Sequence, residues 1–254
     1  MNQISYGLKD KVVLVTGGSR GIGFEIAQKL LEENANVIIC GRKQEGLDKA
    51  VDLLKGGDRL MAVQCHVAKE SEIDGLMSQI SERYSRLDIL INNVGMNLMT
   101  ASTIETDLGL WTKIIDSNLN ATFLCSKKAA LLMKENQSGK IVSITSVAAR
   151  RAAPGMGIYG IAKSAIEMMT RVLASELAMA NIQVNAVAPG MVRTDFSKPF
   201  WSNDQFYSQI VKSIPMGRIA EPIDVVHPVL FLSSAGSDYI TGQTLIVDGG
   251  STAI

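Results

Sequence analysis

Seven short runs rich in β-branched and other apolar residues recur along the chain with helix-length stretches between them, and this alternation is its strongest constraint. The runs lie at 11–16, 36–40, 60–64, 87–91, 140–144, 182–187 and 244–247. Between the first two, Ile22, Ile26 and Leu30 recur at helical spacing, with Ala27 and Leu31 filling the same face. Strands alternating with amphipathic helices are the pattern of parallel strands joined by crossover helices. The reading is an α/β chain with one doubly wound, seven-stranded parallel sheet. No Pro/Gly/Ser-rich linker interrupts the rhythm, so residues 1–254 form a single domain.

At 254 residues with 46% apolar content, the chain has ample material for one buried core. Twenty-five basic residues balance 25 acidic ones, so no net field gathers nucleic acid or an anionic membrane. Cys40, Cys65 and Cys125 are far apart in sequence, and His66 and His227 are the only histidines; neither a metal site nor a disulfide frame is expected. Residues 1–10 lack the basic-then-apolar pattern of a signal peptide, no apolar run approaches a membrane span, and 251–254 match no targeting signal. The expectation is a cytoplasmic protein.

After the first run comes Thr16-Gly17-Gly18-Ser19-Arg20-Gly21-Ile22-Gly23. Glycines between a strand and a helix let backbone amides approach an anion at the helix N-terminus, although a tight turn wants glycine for steric reasons alone. The spacing T-G-x-x-x-G-x-G resembles the short-chain dehydrogenase/reductase family. That resemblance implies a Rossmann-type, three-layer α/β/α fold and a nicotinamide dinucleotide lying against Gly17, Ser19, Arg20, Gly21, Ile22 and Gly23. At the end of the second run, where an acidic residue would hold the ribose 2′-hydroxyl of NAD, the chain has Cys40-Gly41-Arg42-Lys43. Arg42, with Arg20, suits a 2′-phosphate, which favours NADP(H) over NAD(H). His66-Val67 stands where the family commonly has Asp-Val at the adenine. Asn92-Asn93-Val94-Gly95 resembles the family's N-N-A-G, with Asn93 and Gly95 beside the cofactor.

Tyr159 and Lys163 are four apart on a predicted helix and so share a face. A free phenol titrates near pH 10, roughly three units too high for ready proton exchange at neutral pH, and a close cation lowers that value. Lys163 is expected to supply it. Reduction of a ketone places charge on the carbonyl oxygen, which needs a proton donor, Tyr159, and a second hydrogen-bond donor, Ser146. Ser143 and Thr145 are weaker alternatives to Ser146. The resemblance adds Lys163 on the nicotinamide ribose and Asn118 anchoring a water that leads protons to the lysine. It also places Pro189, Gly190, Val192 and Thr194 along the nicotinamide side, and matches the chain from Lys11 to Gly250.

Residues 191–215 hold Phe196, Phe200, Trp201, Phe206 and Tyr207 without a strand, which suggests a cover over the substrate. A packed helix pair or a subunit contact is the alternative. Cys65-His66-Val67 and the 196–201 stretch resemble carbonyl reductases of broad range, which implies a bulky apolar ketone in a cleft lined by Met96, Val147, Met156, Phe196 and Trp201. A 3-oxoacyl thioester is the rival substrate, with Arg150 and Arg151 meeting a carrier or coenzyme A phosphate. A non-catalytic scaffold would require an eroded tetrad or glycine turn, and neither is seen. Family members commonly assemble as tetramers through two long helices, here at 110–134 and 158–180.

Overall fold

The computed structural model describes residues 5–100, 102–153 and 155–253. The readings made on 1–10 and 251–254 therefore lie partly outside it. Strands β1 (Val12–Thr16), β2 (Asn36–Gly41), β3 (Leu60–Gln64), β4 (Ile89–Asn92), β5 (Gly139–Ile144), β6 (Ile182–Pro189) and β7 (Thr244–Val247) form one sheet in the order β3-β2-β1-β4-β5-β6-β7. Every pairing is parallel.

The sheet is covered on both faces, which is why β1 is apolar and buried at each position from Val12 to Val15 instead of alternating. Val13 and Val15 face helices α1 (Gly21–Glu32), α2 (Gln44–Leu54) and α9 (Pro222–Ser233), through residues such as Ile26, Leu30, Leu47, Val225 and Val229. Val12 and Leu14 face the other layer, built from α3 (Glu70–Tyr84), α5 (Ala121–Glu135) and α6 (Gly157–Leu177), through Ile73, Leu76, Cys125, Met133 and Leu177. These are the three α/β/α layers expected of the sequence.

The strands fall where the apolar runs predict, with three instructive shifts. The 87–91 run becomes β4 only from Ile89. Before it, the Asp88 carboxylate accepts the Val12 amide at 2.7 Å, replacing a ladder partner with a side chain. β6 runs two residues beyond 187 and ends on Pro189, which pairs with Val247 at the last position where a missing N–H costs nothing. The 110–134 helix is α4 (Leu108–Ile115), a π-turn over Asp116–Asn120, and then α5. A widened turn of this kind needs a side chain to satisfy the freed backbone, and Asn118 does so by donating to the Ile114 carbonyl at 2.8 Å.

β1 has β2 on one side and β4 on the other, so its crossovers leave in opposite directions. A crevice opens at the carboxyl ends of β1 and β4, the place where open α/β sheets bind ligands. Between β6 and α9, α7 (Lys198–Trp201) and α8 (Asp204–Lys212) form the helical segment read from the sequence as a cover.

Candidate active site

The glycine turn builds one wall of a cleft of about 470 Å³. Gly17 and Gly21 hold φ of +66° and +57°, a backbone that side-chain-bearing residues rarely adopt. Gly23 is required for a different reason: a Cβ there would lie 2.5 Å from the Gly17 carbonyl oxygen. The N-cap of α1 is Arg20, which carries only donors, so the first amides of the helix gain no side-chain acceptor and point toward whatever anion enters. Gly17, Ser19, Arg20, Gly21 and Ile22 line the cleft, while Gly23 lies buried beneath them.

Asn93 fastens β4 to this turn. Its amide nitrogen donates to the Thr16 and Gly17 carbonyls at 3.0 and 3.3 Å, and the Thr16 hydroxyl accepts the Asn93 and Val94 amides. Gly95 and Met96 continue the wall. A Cβ on Gly95 would come within 3.1 Å of Asn118 Oδ1 and 3.4 Å of Lys163 Nζ, so this position must stay bare for the lysine to reach the cleft.

Arg42, Lys43, His66 and Val67 line the end of the cleft beyond β2 and β3. Arg20, Arg42 and Lys43 are exposed and form no ion pair among the described residues. His66 is held by its own loop: its amide donates to Glu72 at 2.7 Å and its Nδ1 accepts the Ala68 amide at 3.3 Å. That bond assigns the proton of the neutral ring to Nε2, leaving a donor free.

At the opposite end, Tyr159 and Lys163 rise from α6 into the cleft, with Thr194 and Phe196 across from them. Gly160 makes the approach possible: a Cβ there would sit 2.7 Å from the Ala148 carbonyl, so glycine lets α6 close on the turn that carries Ser146. The Ser146 hydroxyl caps that turn by accepting the Ala148 amide at 3.2 Å, and it lies near enough to the Tyr159 phenol to lower its pKa. Thr145 is spent on the Val187 carbonyl, and Ser143 accepts from Asn92. Of the three candidates, Ser146 alone acts on the ionisation of the tyrosine.

The electrostatics differ from the sequence expectation. Burial pushes the Tyr159 phenol up to about 12, and the nearby Ser146 hydroxyl opposes this only in part. Burial also pulls Lys163 down to about 8, because desolvation penalises its charged form. The lysine Nζ lies 5.6 Å from the phenol ring centre and donates to the Ile144 carbonyl at 2.8 Å. Lys163 therefore does not depress the tyrosine in this state, and burial shifts both groups toward their neutral forms, the lysine staying charged below about pH 8. Asn118 is fully buried. It donates to Met96 O at 2.8 Å, accepts from Met96 N at 3.3 Å and donates to Ile114 O, so its side chain locks the Gly95-Met96 strip in front of Lys163.

Several expected positions lie off the cleft. Pro189 and Gly190 pack at the end of β6, Gly190 against Asp248. Val192 is buried and pairs with Ala220 in an isolated bridge. Val147 belongs to the Ser146 turn, and Met156 caps the start of α6. Trp201 is turned back on its own segment, its indole nitrogen donating to Ser197 at 3.0 Å. Lys43, Thr145 and Asp195 also line the cleft, and so do Gly41 and Cys65, which were not singled out as site residues. Only the strand register, which sets Gly41 beside Gln64 and so brings Cys65 to the crevice, gives them away.

A sequence profile described as enoyl-(acyl carrier protein) reductase matches residues 17–252, almost the whole site and sheet. The chain is 37% identical over 245 residues to dehydrogenase/reductase SDR family member 4 of Bos taurus, covering 96% of this chain and 88% of that one. The chain belongs to the short-chain dehydrogenase/reductase family. As a member it is an oxidoreductase acting on CH–OH or C=O groups. Its fold matches a short-chain type dehydrogenase/reductase from Mycobacterium ulcerans at a TM-score of 0.94 and 30% identity, covering 98% of this chain and 92% of that one. It also matches a gluconate 5-dehydrogenase from Burkholderia cenocepacia in complex with NADP and tartrate, at a TM-score of 0.93 and 29% identity, with 98% of each chain covered. Among the described residues, no helix of this family member is long and apolar enough to cross a membrane.

Proposed function

We propose that this protein reduces a bulky, apolar ketone with NADPH, or oxidises the corresponding secondary alcohol with NADP, using Tyr159 as acid and base. The observation that carries the reading is the partly buried Tyr159 phenol, which shares a cleft wall with Lys163 and has Ser146 near enough to lower its pKa. A dinucleotide fits the remainder of that cleft: the bare Gly95, the uncapped amides of α1 and the row of unpaired cations are a cradle for a ribose, a pyrophosphate and a 2′-phosphate. Ser19, Gly21 and Ile22 would hold the pyrophosphate, Arg20 and Arg42 the 2′-phosphate, His66 and Val67 the adenine, and Lys163 the nicotinamide ribose. Asn93 and Gly95 shape the floor and Thr194 the nicotinamide end, with Pro189, Gly190 and Val192 behind it as support. When bound, the cofactor supplies or accepts the hydride.

The protein's own groups manage the proton. With its phenol pushed up by burial, Tyr159 is neutral at physiological pH and available as a donor, the state that ketone reduction requires. Ser146 donates a second hydrogen bond to the same oxygen, which spreads the charge developing there. In oxidation the proton flows the other way, and the phenolate must be stabilised by positive charge nearby. The backbone carbonyl of Asn118, which accepts Thr122 Oγ1 at 2.7 Å, would anchor the water leading to Lys163.

The apolar substrate rests on Met96 and Phe196 at the mouth of the cleft. A thioester on an acidic carrier would need free cations beside Ser146. Arg150 instead donates to the buried Glu167 at 3.0 and 3.3 Å, and Arg151 to the Ser251 carbonyl. Sugar-acid substrates would likewise need a free cation, and Arg193 is paired with Glu221. Initial rates with NADPH and NADH over a panel of ketones, sugar acids and 3-oxoacyl thioesters test the reading; turnover confined to thioesters or acids overturns it. The same proposal includes a homotetramer in the cytoplasm, with free thiols at Cys40, Cys65 and Cys125 suited to a reducing compartment.

A further inference from the structure

Thr194, Asp195 and Phe196 line the cleft as three consecutive residues, and each end of this strip is tied down. On one side, Arg193 N donates to the Ala220 carbonyl at 2.8 Å, and its guanidinium pairs with Glu221 at 2.9 Å. On the other side, Ser197 is buried and its hydroxyl is fully used. It donates to the Val192 carbonyl and accepts the Thr194 amide at 3.2 Å and the Trp201 indole N–H at 3.0 Å.

Trp201 joins the two anchors. While its N–H reaches Ser197, its ring lies under the Arg193 guanidinium, 5.0 Å from ring centre to Cζ, and the Tyr207 ring of α8 lies 5.6 Å from the same cation. A planar guanidinium against two rings and a carboxylate is a directional contact that holds orientation, since the ring faces carry the negative end of the quadrupole. Between the anchors the half-exposed Phe196 ring is held 6.4 Å from the Tyr159 ring, tilted by 45°. Phe196 is therefore placed by contacts its own side chain does not make.

We propose that Arg193, Ser197 and Trp201 form a clasp whose role is to hold Phe196 beside Tyr159, making them positioning residues for the choice of ketone. This rests on the ketone reading above. The aromatic side chain of Trp201 serves the clasp instead of the substrate. Loosening the clasp frees the Phe196 ring to leave the apolar wall that a large ketone uses, whereas a small ketone needs only Tyr159 and Ser146.

The test compares wild type with Arg193→Ala, Arg193→Lys and Trp201→Phe at saturating NADPH, using one aryl ketone and one short aliphatic ketone. Amide hydrogen exchange over 194–201 is measured on the same samples. For Arg193→Ala the expectation is faster exchange confined to that strip and a KM for the aryl ketone raised about tenfold, with the aliphatic KM changed less than about threefold. Arg193→Lys keeps a cation for Glu221 and the rings and recovers part of the discrimination. Trp201→Phe keeps a ring beneath Arg193 but drops the N–H, giving the same direction with smaller size, and it serves if Arg193→Ala fails to fold. Equal changes in both KM values, or unchanged exchange over 194–201, overturn the proposal. A wild-type protein inert toward every ketone refutes the proposed function instead, and the exchange result then decides the clasp alone.

Discussion

Lys163 Nζ donates to the Ile144 carbonyl at 2.8 Å, so the buried ammonium is tied to the end of β5 and not to the phenol one helical turn before it. The carbonyl compensates the desolvated charge only partly, because the lysine is still drawn down to about 8. This has a measurable consequence for stability.

Between the folded value of about 8 and the ordinary 10.5, the unfolded chain holds more proton on Lys163 than the folded one. Stability therefore rises with pH across that window, and below it the buried charge costs about 3 kcal/mol. Lys163→Met removes that cost and loses one hydrogen bond worth about 1 kcal/mol, so the variant is expected to be about 2 kcal/mol more stable at pH 7. The gain should fade above pH 8 and turn into a loss of about 1 kcal/mol past 10.5. Urea titrations at pH 7 and pH 10 check this, and a variant less stable at pH 7 contradicts the burial argument.

Tyr159→Phe deletes one oxygen from a site otherwise unchanged. Turnover should fall by on the order of a thousandfold, while dinucleotide affinity stays within about twofold. Fluorescence titration with NADPH beside steady-state rates separates the two effects; turnover within tenfold of wild type removes Tyr159 from the chemistry.

The pH profiles follow from the phenol's upward shift. A neutral Tyr159 donates readily, so ketone reduction should hold a plateau through neutral pH, whereas alcohol oxidation needs the phenolate and should climb as pH rises toward the raised value. Parallel profiles of kcat/KM in the two directions test this, and an oxidation rate falling from pH 7 to pH 9 argues for another base.

Arg42→Ala addresses the cofactor. Loss of one charge-assisted contact to a 2′-phosphate should raise the KM for NADPH about tenfold and leave NADH nearly unaffected. Equal effects on the two dinucleotides would sink the role given to Arg42.

The proposed tetramer would bury exposed apolar side chains on the two long helices. Phe123 and Leu131 on α5, and Ile161, Met168 and Val172 on α6, remain between 45% and 56% exposed in the single chain. Light scattering is expected to find a tetramer, and Val172→Asp to yield smaller species. A wild-type monomer contradicts the assembly.

The fold was almost wholly legible in the linear sequence. Buried parallel strands must be apolar on both faces, and amphipathic helices must recur between them; both patterns are local and survive without coordinates. The pairing of Tyr159 with Lys163 was equally legible, since helical periodicity puts residues four apart on one face, as was the need for glycine at 17 and 21. The tertiary structure alone decided the signs and the partners. Whether Lys163 acts on the phenol depends on which acceptor lies nearer, and Ile144 is 19 residues away. The fate of Trp201 depended on how the segment after β6 folds back, which no strand period or cap signal encodes. The need for bare glycine at 95 and 160 came from close approaches to Asn118, Lys163 and Ala148, contacts that exist only once α4, α5 and α6 have packed against the sheet. Periodicity and turn chemistry are properties of neighbouring residues, whereas burial, charge state and the aim of a side chain belong to the packed whole.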